Sequence, residues 1–239
     1  MVTVHRAIPA HCIRLLIFDL DGTLIDSRLD LVNSVNAMLR HFQRPELPGD
    51  VIAGYVGDGA PMLIRRALGD PDDGAYMREA LDFFLNYYRE HKLDHTVVYD
   101  GVRQALNALR FGRDHSDRAL ERTLAVLSNK PVNPSRQIVQ ALGLAEFFFQ
   151  IYGGNSFPTK KPDPLGARTL MEETGAEAEE TVLIGDSEID VLTARNAGIW
   201  SIGVTYGFVP ESLKIAPPDV LVDSPPELLQ ALSSRANAT

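Results

Sequence analysis

Cysteine is almost absent from this sequence. Cys12 is the only one among 239 residues, so no disulfide can form within the chain, and we expect a protein of the reducing cytoplasm. No apolar run is long enough to cross a bilayer. Residues 1–11 carry one Arg, two His and one Pro and lack the apolar core of a signal peptide, so we expect no membrane partner.

Basic residues are also scarce. The chain has 23 Lys and Arg against 32 Asp and Glu, which gives a formal net charge of -9. Such an excess of negative charge repels a phosphate backbone, so we expect no nucleic-acid partner. With 45% hydrophobic residues, a chain of this length can bury the core of one domain that carries an insertion. We expect a monomer or a homodimer, between which the sequence does not decide.

The most informative segment is an apolar run that ends in two aspartates. Residues 15–18 predict a buried strand, and Asp19, Asp21 and Gly22 follow it. In α/β sheets, ligands bind at such strand ends. Because Asp19 and Asp21 are two residues apart, an extended backbone would place their carboxylates on one face, where they repel unless a cation lies between them. We therefore expect a Mg²⁺ site here, with one carboxylate able to act as a nucleophile.

Further polar residues stand after apolar runs or beside a proline. They are Ser128 and Asn129, Lys161, and Asp186, Ser187 and Asp190. Each has an ordinary structural explanation when taken alone. Ser128 can cap a helix, Lys161 can be a solvated surface charge, and Asp186 and Asp190 can be acids that favour a helix N-terminus.

Strand and helix patterns alternate in the second half of the chain, which predicts a parallel sheet with helices on both faces. The expected strands lie at 123–128, 149–153, 181–185, 200–204 and 220–222. The helices expected among them lie at 102–111, 133–142, 163–174, 188–197 and from 225 onward. We expect an exposed loop at 112–118 and a frayed tail at 233–239.

Residues 27–95 have helical periodicity and no convincing strand. Apolar residues recur at intervals of three and four from Leu29 to Phe42, and further helical patterns cover 62–68 and 76–88. The predicted fold class is therefore α/β, with a Rossmann-like three-layer core of residues 1–26 and 96–239. An all-helical domain of residues 27–95 is inserted into it.

Four segments, in order along the chain, resemble the motifs of the haloacid dehalogenase (HAD) superfamily of aspartate-nucleophile phosphatases. The matching segments are Asp19-Leu20-Asp21-Gly22-Thr23, Ser128-Asn129, Lys161-Pro162 and Gly185-Asp186-Ser187-Glu188-Ile189-Asp190. In this family the helical insertion after the first strand is a cap over the active site. The resemblance therefore implies an enzyme, a phosphoric monoester hydrolase with a small helical cap and Mg²⁺ as its cofactor.

The resemblance also implies roles for the matching residues. Asp19 would attack phosphorus and form an aspartyl-phosphate, while Asp21 would act as acid and then as base. Mg²⁺ would be held by Asp19, Asp186 and the backbone carbonyl of Asp21. The phosphate oxygens would be held by residues of the first three motifs, namely Gly22, Thr23, Ser128, Asn129 and Lys161. Ser187 and Asp190 would support this site.

Asp21 distinguishes between branches of the superfamily. Dehalogenases lack the second aspartate, so its presence favours phosphoryl transfer. Phosphonatases need a cap lysine, and the cap of this chain has only Lys92, near its end. A phosphomutase or phosphatase acting on a sugar phosphate remains an alternative with the same motifs. A receiver-type signalling module, which also has a phosphorylatable aspartate, is a remote alternative because it has no cap.

The resemblance is narrower in several other segments. Gly57-Asp58-Gly59, Lys130-Pro131 and residues 203–207 resemble the phosphoglycolate phosphatases. This implies hydrolysis of a small phosphorylated metabolite, 2-phosphoglycolate, to glycolate and phosphate. Arg65 or Arg66 of the cap could pair with the carboxylate of that substrate, although both could equally be solvated helix charges. Gly57 and Gly59 could offer backbone amides to an anion or simply form a turn.

Overall fold

The computed structural model describes residues 1–113 and 118–232. The loop expected at 112–118 is only partly within these ranges, and its residues 112 and 113 belong to a short strand rather than to a loop. Its residues 114–117 lie outside the described part of the chain, as does the tail expected at 233–239.

The strands and helices of the described residues follow in chain order. The strands are β1 (Thr3–Val4), β2 (Leu15–Phe18), β3 (Ile25–Asp26), β4 (Val97–Val98), β5 (Phe111–Arg113), β6 (Ala119–Glu121), β7 (Thr123–Leu127), β8 (Gln150–Tyr152), β9 (Thr181–Gly185), β10 (Trp200–Val204) and β11 (Val220–Val222). The α-helices are α1 (Arg28–His41), α2 (Gly49–Ala53), α3 (Ala60–Ala67), α4 (Gly74–His91), α5 (Val102–Leu109), α6 (Val132–Ala141), α7 (Leu165–Thr174), α8 (Glu188–Ala197) and α9 (Glu227–Ala231). Short 3-10 helices lie at Ala145–Phe147, Ala178–Glu180 and Pro210–Lys214.

The central sheet has the strand order β1-β11-β10-β9-β2-β7-β8. All neighbouring pairs are parallel except β1 with β11. In the register of the sheet, Leu15 of β2 pairs with Thr123 of β7 on one side and Thr181 of β9 on the other. The residues that follow β2, β7 and β9 therefore emerge side by side at one edge, and the predicted α/β fold class is confirmed.

Helices cover both faces of the sheet, which explains the unbroken apolar run of β2. Leu16 and Phe18 pack into the cluster that contains residues of α5, α6 and α9. Leu15 and Ile17 point to the other face, where they meet residues of α7 and α8. A strand that is buried on both faces has no polar face to present to solvent, so its sequence does not alternate.

Helices α1 to α4 share a hydrophobic cluster of their own. Its fully buried members include Val35, Met38, Ile52, Ile64 and Phe84. The sequence did not predict α2, because five residues are too few for a periodic pattern. We call residues 27–95 the cap; its boundaries as a separate domain stay a prediction.

The two chain segments that enter and leave the cap pair with each other. Strands β3 and β4 are antiparallel, with Ile25 opposite Val98. Asp30, in the first turn of α1, is buried and accepts hydrogen bonds from the backbone amides of His95 and Thr96 and from the Thr96 hydroxyl, at 2.7 to 3.1 Å. The carboxylate thus ties the start of the cap to its end.

No helix of the described residues is both long and apolar enough to span a membrane.

Because the buried Asp30 carboxylate ties the start of the cap to its end, replacing it should destabilise the protein strongly. Asp30→Ala leaves two backbone donors and a hydroxyl without their acceptor, and we expect the free energy of unfolding to fall by about 3 kcal/mol. Urea unfolding at neutral pH measures this change. Leu29→Ala is the control, because the neighbouring Leu29 is 50% exposed and should cost far less. Equal losses in the two variants would contradict the assigned role of Asp30.

Candidate active site

Three carboxylates meet at the edge of the sheet where β2 and β9 end. Asp19 follows β2, Asp186 follows β9, and Asp190 lies in the first turn of α8. One oxygen from each lies within 4.8 Å of the others, and all three residues are buried. The parallel register produces this meeting, because it brings the ends of β2 and β9 together.

Glycines allow the backbone to close tightly around two of these carboxylates. Gly22 has φ +82°, and a Cβ there would lie 2.1 Å from Oδ2 of Asp186. A Cβ on Gly207 would lie 2.2 Å from Cβ of Asp186, and one on Gly185 would lie 2.1 Å from Cγ of Asp190. These positions therefore require glycine, and Asp186 is enclosed on two sides.

Lys161 is buried between two of the carboxylates. Its Nζ donates to Oδ1 of Asp19 and to Oδ1 of Asp190, each at 2.6 Å, and only 3% of its side chain is exposed. The second oxygen of Asp190 accepts from the amide and hydroxyl of Ser187, in a capping box at the start of α8. Asp190 is thereby oriented toward Lys161 with both of its oxygens engaged.

The electrostatic balance of this cluster is negative. Burial raises the pKa of Asp19 to about 6, although Lys161 opposes this change. Burial also raises the pKa of Asp186 well above its usual value, and the charges of Asp19 and Asp190 add to this effect. Burial alone would lower the pKa of Lys161, but Asp19 and Asp190 outweigh it and keep the pKa raised. A single ammonium group thus faces three carboxylates.

This deficit of positive charge fits a hard divalent cation with oxygen ligands, such as Mg²⁺. Asp19 and Asp186 are the carboxylates best placed to hold it, because both oxygens of Asp190 already accept hydrogen bonds. Oδ2 of Asp186 accepts from the amide of Phe208 at 2.7 Å, which fixes the orientation of its carboxylate.

Asp21 lies in the same cavity but has different partners. Lys130 Nζ donates to both of its carboxylate oxygens at 2.9 Å, and the Ser27 hydroxyl donates to Oδ1 at 2.5 Å. An extended backbone would place the Asp19 and Asp21 carboxylates on one face. The backbone leaves strand geometry after Phe18, and Asp21 lies outside the cluster that Asp19 forms with Asp186 and Asp190. Sequence reasoning missed Lys130 and Ser27 as partners of Asp21, although Lys130 directly follows Asn129.

A cavity lies above these residues, between the sheet and the cap. Its core side contains Asp19, Asp21, Lys161 and Asp186 together with Ser128, Asn129 and Ser187. Its cap side is almost entirely apolar and aromatic, with Leu31, Val56, Leu63, Phe84, Leu85 and Tyr88. A bound molecule would therefore have charged groups on one side and a hydrocarbon surface on the other.

The turn between α2 and α3 joins the cap to the core at the edge of the cavity. Asn129 Nδ2 donates to the Gly57 carbonyl and to the Lys161 carbonyl, both at 2.9 Å. Lys160 Nζ donates to the Asp58 carbonyl. Gly57 and Gly59 have φ of +124° and +83°, so they form a turn that also lines the cavity. The side-chain amide of Asn129 is occupied by these two carbonyls, which leaves the Ser128 hydroxyl and backbone amides as the donors that the loop after β7 could offer to phosphate.

Some of the expected site residues lie elsewhere. Thr23 is buried among core residues rather than on the main cavity, and its hydroxyl has no hydrogen-bond partner among the described residues. Arg65 pairs with Asp70 on the surface of α3, and neither Arg65 nor Arg66 lines the cavity. The structure therefore does not bring Arg65 to the place where a substrate would bind. Helical periodicity alone could not distinguish the outward face of α3 from the face toward the cavity.

The fold and the site together define a hydrolase with a capped, acidic active site at the edge of a parallel sheet. Residues 16–204 match the sequence model of the haloacid dehalogenase-like hydrolases. The chain belongs to this family.

Similar proteins agree with this assignment. A phosphoglycolate phosphatase of Chromobacterium violaceum is 38% identical over 226 residues, which cover 93% of this chain and 97% of that protein. One from Vibrio vulnificus is 36% identical, with coverages of 92% and 96%. A crystal structure from Haemophilus somnus, described as that of a predicted phosphoglycolate phosphatase, has a TM-score of 0.82 at 28% identity, with coverages of 92% and 97%. The prediction of a phosphoric monoester hydrolase is confirmed.

Removing the charge of Asp186 should stabilise the metal-free protein and abolish its stabilisation by Mg²⁺. The folded state holds a proton on Asp186 at a pH where the unfolded chain has lost it, since the pKa is raised from 3.8. The stability of the metal-free protein therefore falls as pH rises from about 4 through the folded-state pKa. Asp186→Asn should remove this loss and raise the metal-free Tm at neutral pH by several degrees. Mg²⁺ should raise the Tm of the wild type but not that of the variant.

Thermal unfolding in EDTA and in Mg²⁺ measures both effects. Glu188→Gln is the control, because Glu188 begins α8 but is outside the acidic cluster, so this variant should keep the Mg²⁺ response. An equal rise of Tm with Mg²⁺ in Asp186→Asn and the wild type would rule out Asp186 as a ligand.

Proposed function

We propose that this enzyme is a Mg²⁺-dependent phosphatase that hydrolyses 2-phosphoglycolate to glycolate and phosphate through an aspartyl-phosphate. The observation that carries the proposal is the buried contact of 2.6 Å between Lys161 and Asp19, beside Asp186. A carboxylate that faces a cation site and is held by an ammonium group can approach a phosphate dianion without prohibitive repulsion. The names of the similar proteins support the choice of substrate.

In the first step, an oxygen of Asp19 forms a bond to phosphorus while the bond from phosphorus to the glycolate oxygen breaks. Asp21 gives a proton to that leaving oxygen. In the second step, Asp21 takes a proton from a water molecule whose oxygen attacks phosphorus, and the bond to Asp19 breaks. Mg²⁺, held by Asp19, Asp186 and the backbone carbonyl of Asp21, would neutralise charge on the phosphoryl group.

The remaining residues hold and orient the reactants. Lys161 would bind a phosphoryl oxygen while it stays in contact with Asp19, and Asp190 and Ser187 keep it in place. The Ser128 hydroxyl and the backbone amide of Asn129 would bind other phosphoryl oxygens. The amide of Gly22 is not available for this role, because it donates to the Ile25 carbonyl at 2.9 Å. Thr23 contributes through its position in the turn rather than through its hydroxyl, since the side chain is buried away from the cavity.

The walls of the cavity favour a small ester over a sugar phosphate. Sugar hydroxyls need hydrogen-bonding partners when they are buried. Leu31, Leu63, Phe84 and Leu85 offer none on the cap side. The partner of this enzyme is thus a small phosphorylated metabolite. The single cysteine, Cys12, supports a location in the reducing cytoplasm.

Asp19→Asn tests the nucleophile. An amide cannot form the acyl-phosphate, so we expect phosphate release to fall by about 10⁴-fold or more while the fold is kept. Phosphate release under multiple turnover gives the rate, and circular dichroism with thermal unfolding checks the fold. Asp26→Asn is the control, since Asp26 lies outside the cavity and accepts from the Arg28 amide. Undiminished turnover by Asp19→Asn would overturn the mechanism.

A phosphate-release screen tests the substrate. The panel is 2-phosphoglycolate, glucose phosphates, pyrophosphate and nucleoside monophosphates, each with Mg²⁺. We expect kcat/KM for 2-phosphoglycolate to exceed that of every other compound by about tenfold or more, because only it combines a small leaving group with a carboxylate. A better value for a glucose phosphate would instead favour the sugar-phosphate alternative.

A further inference from the structure

Two cationic side chains line the cavity among the described residues: Lys161 and Lys130. Lys161 is engaged by Asp19 and Asp190 in the acidic cluster. Lys130 lies on the side of Asp21, where its Nζ contacts both carboxylate oxygens at 2.9 Å. The cavity therefore has one positive charge beside the nucleophile and a second beside the residue that faces the leaving oxygen.

Lys130 is held in place by the core and by the cap. Its carbonyl accepts from the amide of Gly154 at 2.8 Å. The chain passes so close at this point that a Cβ on Gly154 would lie 2.2 Å from the Asn129 carbonyl oxygen. On the cap side, the Lys130 ammonium lies 4.7 Å from the centre of the Tyr88 ring in α4, a favourable cation–π contact.

The Lys130 ammonium is charged and removed from bulk water. Its side chain is 5% exposed. Burial alone would lower its pKa, but the Asp21 carboxylate outweighs burial and keeps the pKa raised. A desolvated charge interacts more strongly with a second anion than a solvated surface charge does. An ammonium group has three donors; the Asp21 carboxylate engages at most two of them, and the Tyr88 hydroxyl is the other polar group beside Nζ.

We infer that Lys130 selects substrates that carry a carboxylate next to the leaving oxygen, an inference that rests on the proposed function. In 2-phosphoglycolate one methylene group separates the leaving oxygen from the carboxylate. If Asp21 protonates that oxygen, the carboxylate must lie beside Asp21. Lys130 is the cation at that position, and it would be shared between Asp21 and the substrate.

The two cap arginines expected to bind the substrate carboxylate cannot take this role without a rearrangement. Arg65 is paired with Asp70, and Arg66 with Asp58 and the Tyr55 carbonyl, away from the cavity lining. The cap wall that faces Lys130 is apolar apart from the hydroxyl of Tyr88, which carries no positive charge, so a substrate carboxylate placed there without Lys130 would be buried without a cationic partner.

The test compares two esters on the same enzyme preparation. Ethyl phosphate has a methyl group where 2-phosphoglycolate has its carboxylate, so the ratio of their kcat/KM values reports recognition of the carboxylate. We expect Lys130→Met to lower this ratio by about 30-fold or more relative to the wild type. Lys130→Arg, which retains the charge, should keep a higher ratio than Lys130→Met.

Lys160→Met is the matched control. Lys160 is also a lysine of the core that contacts the cap, where it donates to the Asp58 carbonyl, but it does not line the main cavity. Any effect of this substitution on cap closure should change kcat/KM equally for both esters and leave their ratio unaltered. The fraction of folded enzyme also cancels in the ratio, so partial unfolding of a Lys130 variant does not affect the result.

Each outcome decides the inference. If Lys130 only orients Asp21, Lys130→Met lowers kcat/KM equally for both esters and the ratio stays at the wild-type value. That result overturns the inference while the proposed function stands. If the wild type itself does not prefer 2-phosphoglycolate to ethyl phosphate, the proposed substrate and the inference fail together. A wild-type preference that is lost in Lys130→Met and kept in Lys160→Met supports both.

Discussion

The buried ion pair of Lys161 with Asp19 is the contact on which the rest of the site depends. Three carboxylates at the edge of one sheet would repel each other in a region of low dielectric constant, and burial raises the pKa of both Asp19 and Asp186 there. Lys161 makes two of them compatible with burial by donating to Asp19 and Asp190 at 2.6 Å. Asp186 has no cationic partner of its own among the described residues, so a bound divalent cation would complete the balance of charge.

The same cluster is linked to the cap through a short segment. The Phe208 amide donates to Asp186, while the Phe208 ring packs against the apolar cluster of the cap. Arg28, the first residue of α1, donates to the Gly207 carbonyl and lies 5.0 Å from the centre of the Phe208 ring. A movement of the cap would therefore shift a carboxylate of the acidic cluster, which provides a physical route from substrate enclosure to the chemistry.

The sheet and the acidic strand ends could be predicted because both depend on local sequence. Residues 15–18 form an apolar run that only a doubly covered strand explains, and the polar groups after it fall where parallel strands place them. Partners that lie far apart in sequence could not be predicted. Lys130 is 109 positions from Asp21, and only the parallel pairing of β2 with β7 brings them together. The outward direction of Arg65 likewise depends on how α3 packs.

The placement of the two lysines divides the cavity into two charge environments. An acidic chain with a net charge of -9 repels an anionic substrate over its surface as a whole, so the attraction must come from the cavity itself. Lys161 supplies it beside Asp19, where the phosphate would bind in the proposed mechanism, and Lys130 supplies it beside Asp21, where the leaving group would lie. Since the cap wall is apolar, it excludes water and strengthens both interactions without competing for the charged groups. In the proposed function, recognition of the leaving group would therefore reside in the core, and the cap would contribute mainly by enclosing the reaction.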